Sequence, residues 1–311
     1  MSLVLNSVFP IFALIACGFF GGRRRLVSAA AAKGLSDFVY YLAVPALLFR
    51  TMATTDLALD QDLSLPLGYF GATVLVFLLT ALVGGTIFQV TRSERALQGM
   101  SATFSNTVLV GIPLVLAIFG EAGLVPLMLI ITFHSGVLFS LTILAVEFGR
   151  GGQRLLPALA RVPRALAVNP VILGLIGGLA FSFSGLTLPL ALDRFAALLG
   201  GASAPCALFA LGASMAGFKL GGNLKEVCLW TLVKLVLHPL LVALTMVYVV
   251  EVPRLYASVA VLTAALPAGI NVFIWAKSYE IYVARAASMV LISTLVSTVT
   301  LSLLVFYLGS Q

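Results

Sequence analysis

The chain is divided into long apolar segments that are separated by short, charge-bearing loops. Ten such segments can be marked, each about 20 residues long, which is the length that an α-helix needs to cross the hydrocarbon core of a bilayer. In lipid, only a helix satisfies its backbone hydrogen bonds within one segment, so all ten should be helical. The predicted segments are residues 3–22, 34–53, 65–90, 96–118, 122–148, 166–184, 195–217, 225–250, 255–277 and 282–308.

The composition excludes a soluble fold and gives no sign of catalysis. Of the 311 residues, 61% are hydrophobic and 9% are charged, and the mean hydropathy is +1.14, whereas a soluble domain carries roughly 25% charged residues. Cys17, Cys206 and Cys228 form neither a disulfide framework nor a metal-binding spacing. The sequence has no phosphate-binding loop, no HExxH and no GxSxG motif. We therefore predict an all-α polytopic membrane protein that is not an enzyme, uses no cofactor or metal and binds no nucleic acid.

The basic residues indicate how the chain is oriented. Most of the 18 Lys and Arg residues lie in the loops after the first, third, fifth, seventh and ninth segments. The positive-inside rule places these loops in the cytoplasm, so both termini should be on the non-cytoplasmic side. The expected location is the bacterial inner membrane. Arg23, Arg24 and Arg25 follow the first segment and no charge precedes it, which favours an uncleaved helix over a signal peptide.

A basic linker separates two sets of five segments. Residues 149–165 carry Gly, Arg and Pro but no acidic residue. Because five is an odd number, the second set (166–311) must enter the membrane in the opposite sense to the first (1–148), which predicts an inverted repeat. Gly18 with Gly22, and Gly174 with Gly178, form a GxxxG pattern in the first helix of each half, which suits close helix approach.

Sequence echoes between the two halves support the predicted repeat. Pro10 and Pro170 should each open the first helix of a half. Three pairs are separated by the same 160 positions: Pro10 and Pro170, Gly18 and Gly178, and Pro45 and Pro205. At this offset the two most polar stretches of the apolar segments also coincide, so they should be the same element of each half.

These two polar stretches should interrupt the fourth and ninth helices. The first is FSNTVLVGIPL at residues 104–114, and the second is LPAGINVFIW at residues 266–275. Proline lacks an N–H and its ring clashes with the preceding turn, so a continuous helix is broken near it. A broken helix at the same place in each half is the best sequence indication of a transporter's binding site.

The groups exposed at such breaks suit an anion. Half-helix N-termini carry partial positive charge, and amide and hydroxyl side chains can donate to a carboxylate. The alternative is that Pro and Gly only kink packed helices while Asn caps freed backbone groups, although two equivalent breaks favour a site. The predicted substrate-binding residues are Ser105, Asn106, Thr107, Gly111, Pro113, Lys234, Pro267, Gly269 and Asn271.

Three ionisable residues lie within apolar segments. Lys234 is deep in the eighth segment, where a charge costs on the order of 2.5–3.5 kcal/mol, so it should face the interior or a water-filled cavity. It would attract an anion there, or it would extend to an interface if the depth is misjudged. His238 follows on the same helix face, and His134 lies in the fifth segment. Each histidine is a candidate proton relay, with a structural hydrogen-bonding role as the alternative.

The sequence resembles the auxin efflux carrier family, as a bacterial member of the group that includes plant auxin carriers and bacterial malonate and malate carriers. The resemblance covers the whole chain, through LNSVFPIFALIACGFF, VPALLF, SNTVLVGIPL, NPVILGLIGG, KLVLHPL and LPAGINVF. It implies ten transmembrane helices in two inverted five-helix repeats, whose fourth and ninth helices cross at their prolines beside the substrate. It also implies a scaffold and homodimer face on the second and seventh helices. The long hydrophilic loop of many plant carriers is absent.

We therefore predict a secondary active transporter of small organic anions, such as malonate, malate or auxin-like acids, that works by alternating access. The alternatives are a sodium-coupled organic-anion symporter of the bile-acid type and a passive channel. No acidic pair of the kind that cation-coupled antiporters use lies in mid-membrane. The small-residue run at residues 200–204 could pack within the chain or against a second copy. Besides the substrate, membrane lipids are the expected partners.

Overall fold

Helices make up nearly all of the described structure, which comprises residues 2–54, 63–151 and 160–309 of a computed structural model. These residues contain no β-strand, and their extended pairing is a single isolated antiparallel bridge between Ser105 and Ala268. The all-helical prediction is therefore confirmed. Residues 152–159 of the predicted linker lie outside the described residues.

Six helices form the first part of the described chain. Their bounds are α1 Ser2–Arg23, α2 Ala29–Thr54, α3 Ser64–Ile87, α4 Arg92–Thr103, α5 Thr107–Phe119 and α6 Glu121–Gly149. Pro10 lies inside α1 and does not open it, so that expectation was wrong. An internal proline is tolerated in such helices because neighbouring helices and local adjustments satisfy the freed backbone groups.

Seven helices form the remainder of the described chain. Their bounds are α7 Arg161–Ala167, α8 Pro170–Phe183, α9 Leu190–Met215, α10 Leu224–Tyr248, α11 Arg254–Ala265, α12 Asn271–Tyr279 and α13 Val283–Gly309. Helix α7 falls at the end of the predicted linker, and α8 begins at Pro170, where a missing N–H costs nothing. The Asn169 side chain caps α8 by accepting from the Val171 N–H at 2.9 Å.

Length and composition allow six of these helices to cross a bilayer by themselves, namely α2, α3, α6, α9, α10 and α13. The apolar helices α1, α5, α8 and α11 are shorter in their apolar parts. Helices α4 and α5, and likewise α11 and α12, lie on either side of the two predicted breaks. A protein with several apolar spans is established, and the ten-span topology stays a prediction.

Three helices widen into a π-helical turn before a proline. The wide turns and the prolines that follow them are Val39–Ala43 before Pro45, Thr107–Gly111 before Pro113, and Val233–Leu237 before Pro239. A proline removes one backbone hydrogen bond and its ring crowds the carbonyl four residues earlier, which a wider turn relieves. Such turns occur often at functional sites, and two of these three contain or adjoin predicted site residues.

Glycines bring two helix pairs into backbone contact, as the GxxxG patterns predicted. A Cβ atom on Gly18 of α1 would lie 2.0 Å from the Phe209 carbonyl oxygen of α9. A Cβ atom on Gly178 of α8 would lie 2.5 Å from the Phe49 carbonyl oxygen of α2. Helices α1, α2, α8 and α9 thus pack together, while α3, α4, α6 and α10 to α13 pack around the two breaks.

A buried polar network joins α4, α10 and the start of α13. The fully buried Glu226 accepts from Gln98 Nε2 at 2.6 Å and from the Tyr282 hydroxyl at 2.8 Å. Arg285 lies 3.4 Å from Glu226 and 3.3 Å from Glu94. The network fixes α4 against two neighbours, so the break that follows α4 is held in place.

Candidate functional site

The two breaks cross each other and share their backbone hydrogen bonds. The Asn106 N–H donates to the Pro267 carbonyl at 2.9 Å, and the Gly269 N–H donates to the Phe104 carbonyl at 2.9 Å. The Ala268 N–H donates to Ser293 Oγ of α13 at 3.0 Å. Each break therefore satisfies groups that the other leaves free, which an apolar interior requires.

Glycine and proline make this close crossing feasible. A Cβ atom on Gly269 would lie 2.9 Å from the Phe104 ring and 3.2 Å from the Ser105 carbonyl oxygen. A Cβ atom on Gly111 would lie 2.8 Å from the Leu266 side chain. Pro267 has no N–H to satisfy and offers only its carbonyl. The two glycines and two prolines, Gly111, Gly269, Pro113 and Pro267, shape the crossing. Of these four residues, Gly269 lines the adjacent cavity.

A cavity of about 330 Å³ lies beside the crossing. Five predicted binding residues line it: Ser105, Asn106, Thr107, Gly269 and Asn271. Its volume falls at the lower end of the range for small-molecule sites, roughly 300–1,000 Å³. The remaining wall comes from α2, α6 and the start of α8, and it mixes polar side chains, Asp37 among them, with apolar ones.

Asn106 lines this cavity and carries an amide donor without a partner in the described residues. Its side chain is 5% exposed, and its amide Nδ2 atom has no hydrogen-bond partner within the described residues. A buried amide donor without a partner is unfavourable, because it has lost water and gained nothing in exchange. In the described part of the first break, the Asn106 amide is therefore the donor best suited to bind a ligand acceptor.

Lys234 lies behind the crossing and does not line the cavity. Its Nζ atom donates to Ser105 Oγ at 2.9 Å and to the Ala264 carbonyl at 2.5 Å. That carbonyl is free because α11 ends at Ala265. Lys234 is fully buried, and it forms no ion pair with an acidic side chain in the described chain. Lys234 thus lies in the interior, as the sequence predicted. It would act on a ligand in the cavity through Ser105, which accepts from Lys234 and lines the cavity.

Neither histidine lines the cavity. The buried His134 ring packs at 4.7 Å, centroid to centroid, from the Phe104 ring. His238 Nε2 lies 3.0 Å from Thr73 Oγ1, and that hydroxyl donates to the Tyr69 carbonyl at 2.7 Å. His238 therefore has a polar partner, whereas His134 is surrounded mainly by aromatic rings.

Several lining residues were not predicted from the sequence. They are Ser36, Asp37, Tyr40 and Tyr41 of α2, Ser135 and Phe139 of α6, and Asn169 before α8. Two sequence signals could have found some of them. The Tyr pair lies in the wide turn before Pro45, and Asn169 precedes Pro170 as a helix cap.

The end of α2 remote from the cavity is closed by charged groups. Arg50 Nε lies 2.7 Å from Asp193 Oδ1 in the first turn of α9, and Arg50 Nη1 lies 3.3 Å from Glu121 Oε1 at the start of α6. One arginine thus connects three helices nine positions beyond Tyr41. The three charged residues of this contact do not line the cavity.

Interrupted, crossing helices beside a cavity are the architecture of a membrane carrier. Residues 3–305 match the family model described as "Membrane transport protein". The chain belongs to this family, the auxin efflux carrier family, as its motifs indicated.

Three of the similar proteins are named as transporters or carriers. The chain is 32% identical over 312 residues to a "Putative malonate transporter" of Rhizobium meliloti, covering 100% of this chain and 97% of that one. It is 24% identical to "Auxin efflux carrier component 8" of Arabidopsis thaliana, with 90% of each chain covered. It is also 24% identical to "Uncharacterized transporter YfdV" of Escherichia coli, with 98% of each covered.

Proposed function

We propose that this membrane transporter is a secondary active carrier of small organic anions that works by alternating access. The observation that carries the proposal is Asn106, which lines the cavity at a crossing of two broken helices and whose amide Nδ2 atom has no hydrogen-bond partner within the described residues. Asn271 lines the same cavity from the second break, so two amides converge on one space. A carboxylate placed there would exchange water for fixed donors. The names of the relatives indicate malonate-like or auxin-like acids as the class to test.

An inverted repeat of two five-helix halves would explain the symmetry of the packing. Gly18 contacts Phe209, and Gly178 contacts Phe49. Each residue of one contact is separated from its counterpart in the other by the same 160 positions. This pair of equivalent contacts supports a repeat whose halves are residues 1–148 and 166–311. The basic linker 149–165 would join them, and the chain would have ten membrane-spanning segments.

Alternating access requires the cavity to open to one side at a time. The α2 residues that line it lie near the basic loop after α1, and the Arg50 contact closes the other end. If basic loops are cytoplasmic, the structure represents an inward-facing state. The same orientation puts both termini outside a bacterial inner membrane.

Lys234 favours a carrier without sodium over a sodium-coupled symporter. A sodium site would need several oxygen ligands near the crossing. The Ser105 hydroxyl and the Ala264 carbonyl, which could serve, instead accept from the Lys234 ammonium group. Its positive charge would then balance a bound anion across Ser105. A passive channel would conduct steadily, and planar-bilayer recording separates it from a saturable carrier.

Two further roles belong to the same proposal. His134 and His238 would relay protons on the Lys234 side of the crossing. A homodimer would form through the second and seventh helices, α2 and α9. Within the chain, Gly200 already packs against Leu47, because its Cβ atom would lie 3.0 Å from the Leu47 Cα atom, whereas an added Cβ on Gly201 meets no atom within 4 Å. Crosslinking of cysteines introduced along this face would test the dimer.

Transport by amide variants tests the site directly. Uptake of labelled malonate, malate and indole-acetate would be measured in proteoliposomes, and the transported acid would then be titrated. Asn106→Ala and Asn271→Ala should each weaken apparent affinity about tenfold, since each loses a hydrogen bond to a charged group.

Asn6→Ala is the matched control, because Asn6 is an exposed amide of α1 away from the cavity. It should transport like the parent protein. If both cavity variants transport the true substrate with unchanged affinity, the site is elsewhere.

A further inference from the structure

A second cavity, of about 610 Å³, forms a groove between α1, the end of α9 and α13. One face of α1 provides a wall of residues that recur every three or four positions, including Phe12, Ala16 and Phe20. Leu291 and Leu295 of α13 face it. This groove does not share lining residues with the cavity at the crossing.

The groove is about as long as one leaflet is thick. From Phe12 to Arg23 the α1 wall covers eleven helical steps, which at 1.5 Å per residue is about 16 Å. Half of a typical hydrocarbon core is about 15 Å. An apolar groove of this length therefore matches an acyl chain that runs from the membrane surface to the mid-plane.

One end of the groove is positively charged. Arg23 lines it, Arg24 and Arg25 follow directly, and Lys219 lies between the lining residues Phe218 and Leu220. All four basic side chains are exposed, and none of them forms an ion pair within the described residues. The charges lie where a lipid headgroup would be if its chain filled the groove.

We propose that this groove is a binding site for an anionic phospholipid, with its phosphate at Arg23 and Lys219 and an acyl chain along α1. Basic pockets between transmembrane helices at the cytoplasmic surface recognise such headgroups. A zwitterionic lipid would fill the apolar part equally well but would leave the cationic end uncompensated. The site lies where α1 and α9 meet α13, so the lipid would contact helices from both packing groups.

Lipid retention by purified protein tests the charged end. Native mass spectrometry would count bound dioleoyl phosphatidylglycerol against dioleoyl phosphatidylcholine over a titration of each. The parent protein should prefer phosphatidylglycerol. Arg23→Gln combined with Lys219→Gln should weaken this binding roughly thirtyfold, since each basic group near the surface contributes severalfold.

The control removes the same charge elsewhere. Arg164→Gln combined with Lys277→Gln changes two exposed basic residues that do not line the groove, and it should retain the preference. Equal loss in both pairs would show a diffuse surface attraction and overturn the site. Equal binding of both lipids by the parent protein would overturn it as well.

The apolar end has its own test. Ala16 is exposed and lines the groove, so Ala16→Trp should fill the space and displace the lipid without disturbing the core. Cys17→Trp, at an exposed position outside the lining, should leave binding intact. Glycerophosphoglycerol, the headgroup without chains, should not compete. Competition by it, or unchanged binding in Ala16→Trp, would identify a simple anion site and reject the lipid.

Discussion

The crossing has two faces that differ in access and in charge. The front face is the cavity, where Asn106 and Asn271 offer amides and no Lys, Arg or His lines the wall within the described residues. The back face holds Lys234, fully buried against the Ala264 carbonyl. Ser105 belongs to both, since it lines the cavity and accepts from the lysine.

In the anion carrier proposed above, this difference would separate recognition from charge balance. A lysine in the cavity would bind an anion tightly and hold it, whereas neutral amides can bind and release it. A cation one residue away would still stabilise such an anion, because a buried charge is weakly screened. A buried ammonium group without an acidic partner is costly when the carrier is empty. Loading the anion would relieve that cost, which favours movement of the loaded carrier.

The largest effect should come from removing the charge behind the crossing. Lys234→Met keeps similar volume and should lower transport efficiency roughly a hundredfold, the upper range for a hydrogen-bonded charge. Thermal stability should stay equal or rise, because an apolar side chain avoids the cost of burying a charge. Transport assays and thermal melts on one preparation would measure both.

Lys225→Met provides the comparison, since Lys225 is exposed and lies in the same helix. It should leave transport unchanged. A Lys234→Met variant that transports normally would remove the charge-balance role, and one that unfolds would assign the lysine to structure.

The sequence indicated the breaks more reliably than their surroundings. Pro113, Pro267 and the nearby glycines act within their own segments, so local chemistry was enough to predict an interruption. The depth of Lys234 was also predictable from its position in an apolar run. The side of the crossing on which Lys234 lies was not predictable, because the rotation of α10 depends on its packing against α11 and α3.

The residues of the cavity wall outside the crossing were likewise not predicted from the sequence alone. Tyr40 and Asn169 reach the site because Gly178 lets α8 lie directly on α2. That contact joins distant parts of the chain, and one sequence without tertiary information cannot specify it. Likewise, the small-residue run near Gly200 indicated close packing but not that its partner is Leu47 of α2.

An intermediate effect should come from the residue shared by the two faces. Ser105→Ala removes one of the two acceptors of Lys234 and should lower transport efficiency about fivefold, as expected for one hydrogen bond. In a Lys234→Met background it should have little further effect, because the link is already lost. Ser135→Ala, at a lining residue without this contact, should instead add to Lys234→Met. Additive losses for Ser105 would mean that the two faces act independently.

The smallest effect should come from substituting His134. From the sequence, His134 and His238 have the same candidate role as proton relays, and variants of the two should behave differently. His134→Phe preserves the ring that packs on Phe104, so the rate of transport should change less than about twofold.

His238→Gln alters a polar contact with Thr73 one helical turn from Lys234. If His238 relays protons, its loss should make transport less dependent on pH between about 5 and 8. Initial rates across that range would be compared for both variants. An unchanged pH profile in His238→Gln would exclude that histidine from proton movement, and a changed profile in His134→Phe would transfer the relay to the aromatic side of the crossing.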